Sequence, residues 1–245
     1  MSLHRKSRKY HKWLMLFIGL QIVIWSVSGA YMVLMDIHYI HGNSLVAKKT
    51  QSLNAEQVNY SFTELLAEYP LASKVELSLM LNQAVYRFNV KKQQLLVSAS
   101  NGQLLSPIGK AQAISIAKQS YANTDAQVSN VEVISENPPR ELSARHLPVW
   151  RIDFDDFASP TFYISASSAQ LVTKRHSFWR IFDWMFAFHV MDYVDEEADN
   201  KLLLIFTVLA CIGCLFGLVL TYFRLAPKHN KQALLSKKRS NGVSR

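Results

Sequence analysis

Ala84-Val85-Tyr86-Arg87-Phe88-Asn89-Val90 and Pro148-Val149-Trp150-Arg151-Ile152-Asp153-Phe154 share one pattern. Tyr86, Phe88 and Val90 alternate with Val85, Arg87 and Asn89, which predicts a strand with one apolar and one mixed face. Trp150, Ile152 and Phe154 alternate with Val149, Arg151 and Asp153 in the same way. Outward from this pair the likeness continues. Val75-Glu76-Leu77 matches Val131-Glu132-Val133, and Leu95-Leu96-Val97-Ser98-Ala99-Ser100 matches Phe162-Tyr163-Ile164-Ser165-Ala166-Ser167. Gln103-Leu104-Leu105-Ser106 then matches Gln170-Leu171-Val172-Thr173. The offset grows from 56 to 64 to 67, so the second copy carries loop insertions within an internal repeat.

Each copy opens with an apolar stripe at helical spacing. In the first, Val58, Phe62, Leu65, Leu66 and Tyr69 fall on one face, with Asn54 as N-cap, Gln57 at N3 and Pro70 as terminator. In the second, Ser106-Pro107 opens the helix and Ala113, Ile114 and Ala117 form a thinner stripe. A helix followed by three antiparallel strands, with the helix covering one face, is the unit expected twice.

Two apolar runs flank the repeat. Trp13–Met35 is 23 residues without a charge and Leu202–Phe223 is 22 more. A hydrocarbon core of ~30 Å takes ~20 helical residues, so either run is long enough to cross it. Lys12, Asp36, Lys201 and Arg224 bracket the runs, and Trp13, Tyr31, Tyr222 and Phe223 stand at interfacial depth. The basic residues before the first run and Ser28-Gly29-Ala30 within it resemble a signal peptide, but the run continues to Met35, beyond the ~7–15 residues of an h-region.

The charge distribution sets an orientation. The 245-residue chain carries a net +9, with 27 Lys and Arg against 18 Asp and Glu. The first twelve residues and the tail after Phe223 hold basic residues and no acid, whereas residues 36–199 hold 14 basic against 18 acidic residues, net −4. Basic tails around an acidic middle predict both termini in the cytoplasm and the middle segment outside. That placement points to anionic lipid rather than nucleic acid as the counterpart of the positive charge. Two cysteines rule out a disulfide scaffold.

The strand-and-turn order, read through Val131-Glu132-Val133, Pro148–Asp155 and Phe162–Val172, resembles a PepSY domain. The family's turn glycine has a counterpart at Asn101-Gly102 in the first copy, while Ser168-Ala169 departs from it in the second. His11-Lys12-Trp13-Leu14, Ser28-Gly29, Trp184 and Phe188-His189 resemble the PepSY-associated transmembrane family. The fold class implied is membrane α+β: two transmembrane helices flanking a periplasmic tandem of helix plus three-stranded antiparallel sheet units. The boundaries are a basic tail 1–12, helix 13–35, outer linker 36–52, unit one 53–106, unit two 107–175, aromatic interfacial segment 176–200, helix 202–223 and basic tail 224–245. The resemblance implies a bacterial inner-membrane protein. Some members pass electrons to periplasmic ferric siderophores through histidine-held haem, and other PepSY modules restrain proteases.

The histidines carry the chemical question. His38 and His41 follow the first run, and His189 lies in the aromatic Phe178–Val194 stretch, which is expected to form a helix at the outer interface. Imidazoles among aromatics suit haem b or a transition metal, with His41 and His189 the leading ligands and His38 one turn from His41. An inner haem would take His11 from two chains, or His11 with His229. His4, His146 and His176 read as ordinary exposed positions. Cys211 and Cys214 read as small residues at a helix contact, and Gly213 with Gly217 as a close-approach motif joining either the two spans or two chains as a homodimer. Asp195-Glu196-Glu197-Ala198-Asp199 lacks EF-hand spacing and reads as a solvated loop. With no nucleophile–base motif, P-loop or dinucleotide fingerprint, flavin or nicotinamide chemistry would belong to a partner. Two functions are expected. One is an accessory or electron-transfer subunit of an envelope redox system. The other is a membrane-anchored binding or inhibitory module acting on a membrane or periplasmic protein.

Overall fold

A computed structural model describes residues 3–48, 52–192 and 200–225. The Asp195–Asp199 cluster, His229 with the rest of the 226–245 tail, and the side chain of His4 lie outside the described residues. In chain order the first elements are α1 (Leu3–Leu34), α2 (Ile37–Ile40), α3 (Phe62–Glu68), β1 (Ala72–Met80), β2 (Gln83–Val90) and β3 (Gln93–Ser98). There follow α4 (Lys110–Ser120), β4 (Gln127–Ile134), β5 (Val149–Asp155), β6 (Thr161–Ser165), β7 (Leu171–Arg175), α5 (Ser177–Val190) and α6 (Lys201–Leu225). The chain divides into a helical unit, residues 1–32 with 185–245, and a sheet unit, residues 33–184.

In the helical unit, α1 over Arg8–Leu34 and α6 over Lys201–Leu225 are long and apolar enough to cross a membrane. Leucine, valine and phenylalanine side chains stay exposed along both, as Leu16, Val27, Leu204 and Leu218 illustrate. The hydroxyls of Ser26, Thr207 and Thr221 donate to their own helix's carbonyls one turn back, which satisfies them without water. Gly213 and Gly217 face α1 of the same chain. A Cβ at Gly213 would stand 3.4 Å from Ile18, and one at Gly217 would stand 3.2 Å from the His11 ring. Tyr10 stacks on Phe216 and Phe17 on Phe206 along the same seam. Both glycines of the motif therefore lie on the seam between the two helices of one chain. Cys211 and Cys214 are exposed, not at the helix contact, because the buried face of α6 at this level is the glycine between them.

The sheet unit holds two antiparallel sheets, ordered β1-β2-β3 and β4-β5-β6-β7. Arg87 on β2 stands opposite Glu76 on β1, and Arg151 on β5 stands opposite Glu132 on β4. Both first strands carry a register shift upstream of that pair, between Ser73 and Glu76 and between Val128 and Asn130. The turn after the third strand is left-handed in both sheets, at Gly102 (φ 72°) and at Ala169 (φ 58°). At Gly102 the tightness is steric as well, since a Cβ would meet the Tyr60 ring at 2.7 Å.

The second sheet has four strands, not the three expected. After the Ala169 turn, Leu171–Arg175 keeps pairing with β6. The matching stretch of the first sheet reaches only a single bridge, Val97 with Leu104. Leu105 and Ser106 turn their amides onto the Leu96 carbonyl, and Pro107 has no N–H to extend a ladder.

Both helices start later than the sequence spacing suggests. Asn54 caps only the 3-10 turn Ala55–Gln57, and α3 begins at Phe62 behind its N-cap Ser61, which forms a capping box with Glu64. Between the turn and the helix the chain is held to the first sheet, Tyr60 donating its amide to the Ala99 carbonyl. Leu65 is fully buried, whereas Phe62 and Leu66 of the expected stripe remain exposed. Ser106 is taken by β3, its hydroxyl accepting from the Leu96 amide, so α4 is capped at Gly109 instead. Its buried face is Ala113, Ile116 and Ala117, with Ile116 in the place expected of Ile114.

The cores follow the strand alternation. Tyr86, Phe88 and Val97 close with Leu65 of α3 on one face of the first sheet. Val85 and Leu96, on its other face, join a larger core with Ala113, Ile116 and Ala117 of α4 and with Ile152, Phe154, Phe162 and Ile164 of the second sheet. That shared core welds the sheets into one body, and Arg87 adds a polar link by donating to the Ser168 carbonyl at 2.7 Å.

Candidate functional site

The expected histidine ligands are divided between the two units. In the helical unit, His11 Nδ1 lies 3.1 Å from the Gly213 carbonyl, and His189 Nδ1 lies 3.0 Å from Ser28 Oγ. Gly29 makes room for the His189 ring, its Cβ position being 3.3 Å from Cε1. Along α1, His11 and Ser28 are about 25 Å apart at ~1.5 Å of rise per residue, so His11 and His189 cannot be axial ligands of one haem. Gln21 Nε2 and Trp25 Nε1, one turn apart on the same helix, are buried without hydrogen-bond partners. In the sheet unit, His38 and His41 are exposed; His38 Nδ1 stands 3.5 Å from the Asn43 amide and His41 ends α2. His41 and His189 thus belong to different units. Among the described residues, no three His, Cys, Asp or Glu side chains gather as a metal site.

His176 is not an exposed position. It is 2% exposed, with Nε2 2.9 Å from the Tyr39 carbonyl and Nδ1 buried without a partner. A donor is needed at Nε2, so the neutral ring leaves its bare lone pair at Nδ1. Burial, then the positive charges of Arg180 and Arg175, hold its pKa below the ordinary histidine value against the pull of the Tyr39 and Ile40 carbonyls. Below pH ~6.5 the unfolded chain takes up a proton that the folded chain refuses. Stability from this site is therefore full above that pH and falls as pH drops through it. Thermal unfolding of the full chain in detergent between pH 7.5 and 5 is expected to show this loss, with a shallower slope in His176→Asn. An unchanged slope in the variant would refute the assignment.

A buried ion-pair network braces the outer face of the second sheet. Arg180 donates to both Glu141 oxygens at 2.8 and 3.0 Å and to Thr161, while Tyr163 donates to Glu141 at 2.6 Å. Burial pushes the Glu141 carboxyl up, but the bonds from Arg180 and Tyr163 outweigh it and hold it below the usual range. Nearby, Arg175 lies over the Trp179 ring at 4.1 Å.

A cleft of about 930 Å³ lies between the ends of the two sheets. Its floor and walls come from Gln93–Leu95 of β3, the β6–β7 turn and the start of β7, with Pro107 and Pro148, each preceded by a cis peptide bond. Lys91, Lys92 and Arg145 stand on its rim, and among the described residues no acidic side chain lines it. Arg145 Nε donates to His146 Nε2 at 3.1 Å. Burial and that neighbouring guanidinium lower the His146 pKa, so at neutral pH its ring is uncharged and its Nδ1 carries the proton. Ser165, Ser167, Ser168, Gln93, Gln94 and Gln170 add short polar groups. The cleft offers cations, amides and hydroxyls, and among the described residues no hydrogen bond joins His146 to one of its serines.

None of these cleft residues was picked out as functional from the sequence. The signal available was the adjacent pair Lys91-Lys92 in the β2–β3 turn, which reads as a solvated hairpin tip until the second sheet is folded beside it. No family model, curated protein or solved structure matches the chain.

Proposed function

We propose that the chain is a membrane-anchored binding module of the bacterial inner membrane. In this reading α1 and α6 cross the bilayer, both termini are cytoplasmic, and the sheet unit stands in the periplasm. The exposed apolar side chains along both helices support it, as do the basic, acid-free tails around a net acidic middle segment. The sheet unit is read as a PepSY-like tandem. The paired Glu76–Arg87 and Glu132–Arg151 positions, the register shifts upstream and the two left-handed turns support that reading. The observation that carries the function is the cleft: a large, cation-rimmed cavity, lined by no acidic side chain among the described residues and suited to receiving a segment of another protein. A photo-crosslinking amino acid at Gln94, in cells, is expected to yield a discrete adduct that the same probe at Lys118, on the outer face of α4, does not. Identical patterns from both positions would defeat the binding reading.

The electron-transfer subunit remains the second reading, favoured by one feature of the helical unit. His11 and His189 each have Nδ1 engaged, by the Gly213 carbonyl and the Ser28 hydroxyl, which leaves Nε2 for a ligand, as in a metal-bound imidazole whose other nitrogen is hydrogen-bonded to the protein. Within that unit they cannot pair with each other, so each would need a further ligand. A visible spectrum of the chain expressed with ample haem decides it: a Soret band lost in His189→Ala supports the redox reading, and its absence removes it.

A further inference from the structure

We infer that the cleft takes an extended acidic peptide, which adds as a strand to an open sheet edge while its carboxylates meet Lys91, Lys92 and Arg145. The inference rests on the binding-module reading and names its ligand class. Charge complementarity is the first argument. Residues 36–199 are net acidic, yet the cleft gathers three cations and, among the described residues, no acid, so its potential opposes that of the segment around it. Open backbone is the second. β7 is the outer strand of its sheet, and among the described residues no backbone hydrogen bond reaches it from outside that sheet.

β3 is likewise an outer strand, covered from Leu96 onward by Gln103–Ser106 but open at Gln93–Leu95. Both open stretches line the same cavity. Unpaired strand edges bind main chain at peptide spacing, and alternate side chains then point to one side. A strand of alternating acidic and apolar residues would place its carboxylates toward the rim cations and its apolar side chains toward Leu95, Leu147 and Leu171, which also line the cleft. The Gln93, Gln94 and Gln170 side chains can bond either end of such a backbone. A sulfated or phosphorylated glycan would satisfy the cations but would leave the strand edges unused.

The test uses the full chain in detergent and a fluorescein-labelled octapeptide of alternating Glu and Val, followed by anisotropy. Binding is expected, weakening with salt. The double variant Lys91→Glu/Lys92→Glu and the single variant Arg145→Glu should each raise Kd about tenfold or more, while Lys118→Glu leaves it unchanged. Methylating alternate main-chain nitrogens of the peptide, which keeps its charge, should also raise Kd about tenfold by removing the edge bonds. The inference is overturned by absence of binding, or by equal weakening in Lys118→Glu. It is also overturned if dextran sulfate competes fully while N-methylation has no effect, which would mark a site for anionic glycans. An in-cell adduct at Gln94 together with no peptide binding would leave the binding module standing and reject only the acidic peptide. Loss of both would reject the module itself.

Discussion

Replacing Arg180 with Met is expected to destabilise the chain by about 3–5 kcal/mol, the range for removing one partner of a buried ion pair. The Glu141 side chain is 11% exposed and has Arg180 on both oxygens and Tyr163 on one. Without the guanidinium, a mostly buried carboxylate must stay charged with only the Tyr163 hydroxyl donating to it, or take up a proton. The loss should be largest at neutral pH. In the folded protein Glu141 titrates below its ordinary value, so its contribution is present above about pH 4.5 and fades as pH falls through the folded value. The variant's deficit against the unaltered chain should shrink on acidification, because a protonated Glu141 no longer needs the arginine. Thermal unfolding in detergent at pH 7 and at pH 3 measures both points. An equal deficit at the two pH values would show that packing, not charge, is what Arg180 supplies.

Phe162→Ala is expected to cost a similar ~3–5 kcal/mol by a different route, the cavity left by a large aromatic side chain. Phe162 is fully buried on β6, with ring centroids 5.3 Å from Tyr121 and 5.4 Å from Phe154. Tyr121 ends α4 and also donates to Asp156 at 2.5 Å, so this ring trio ties the helix to the sheet beneath it. The same core reaches Val85 and Leu96 of the first sheet. The variant should therefore loosen the cleft as well as the core, and Phe162→Leu, which retains most of the volume, should recover most of the loss. Chemical denaturation followed by tryptophan fluorescence checks it; a cost below ~1 kcal/mol for the alanine variant would refute the shared-core account.

Strands and apolar helices were legible in the sequence because their signals are local. Alternation at Val85–Val90 and Val149–Phe154 follows from the two-residue pleat, and the charge-free runs before Asp36 and after Lys201 follow from what length of helix lipid demands. Helix starts were not legible, since caps compete for partners. Asn54 and Ser106 look like caps, but Tyr60 is held by Ala99 and Ser106 by Leu96, and both partners come from strands distant in sequence.

The site was hidden for the same reason. By itself the sequence determined two bilayer-length apolar helices, alternating strands in two copies of one pattern, and an acidic middle between basic tails. Each of these is a property of neighbours along the chain. Only the tertiary structure decided that the second sheet gains β7 and that His176 is buried against the Tyr39 carbonyl. It also turned Gly213 and Gly217 toward His11 and Ile18, and set Lys91 and Lys92 across a cavity from Arg145. A side chain's burial, its pKa and its membership of a cleft depend on which distant backbone arrives beside it. Residue type and spacing carry no record of that arrival.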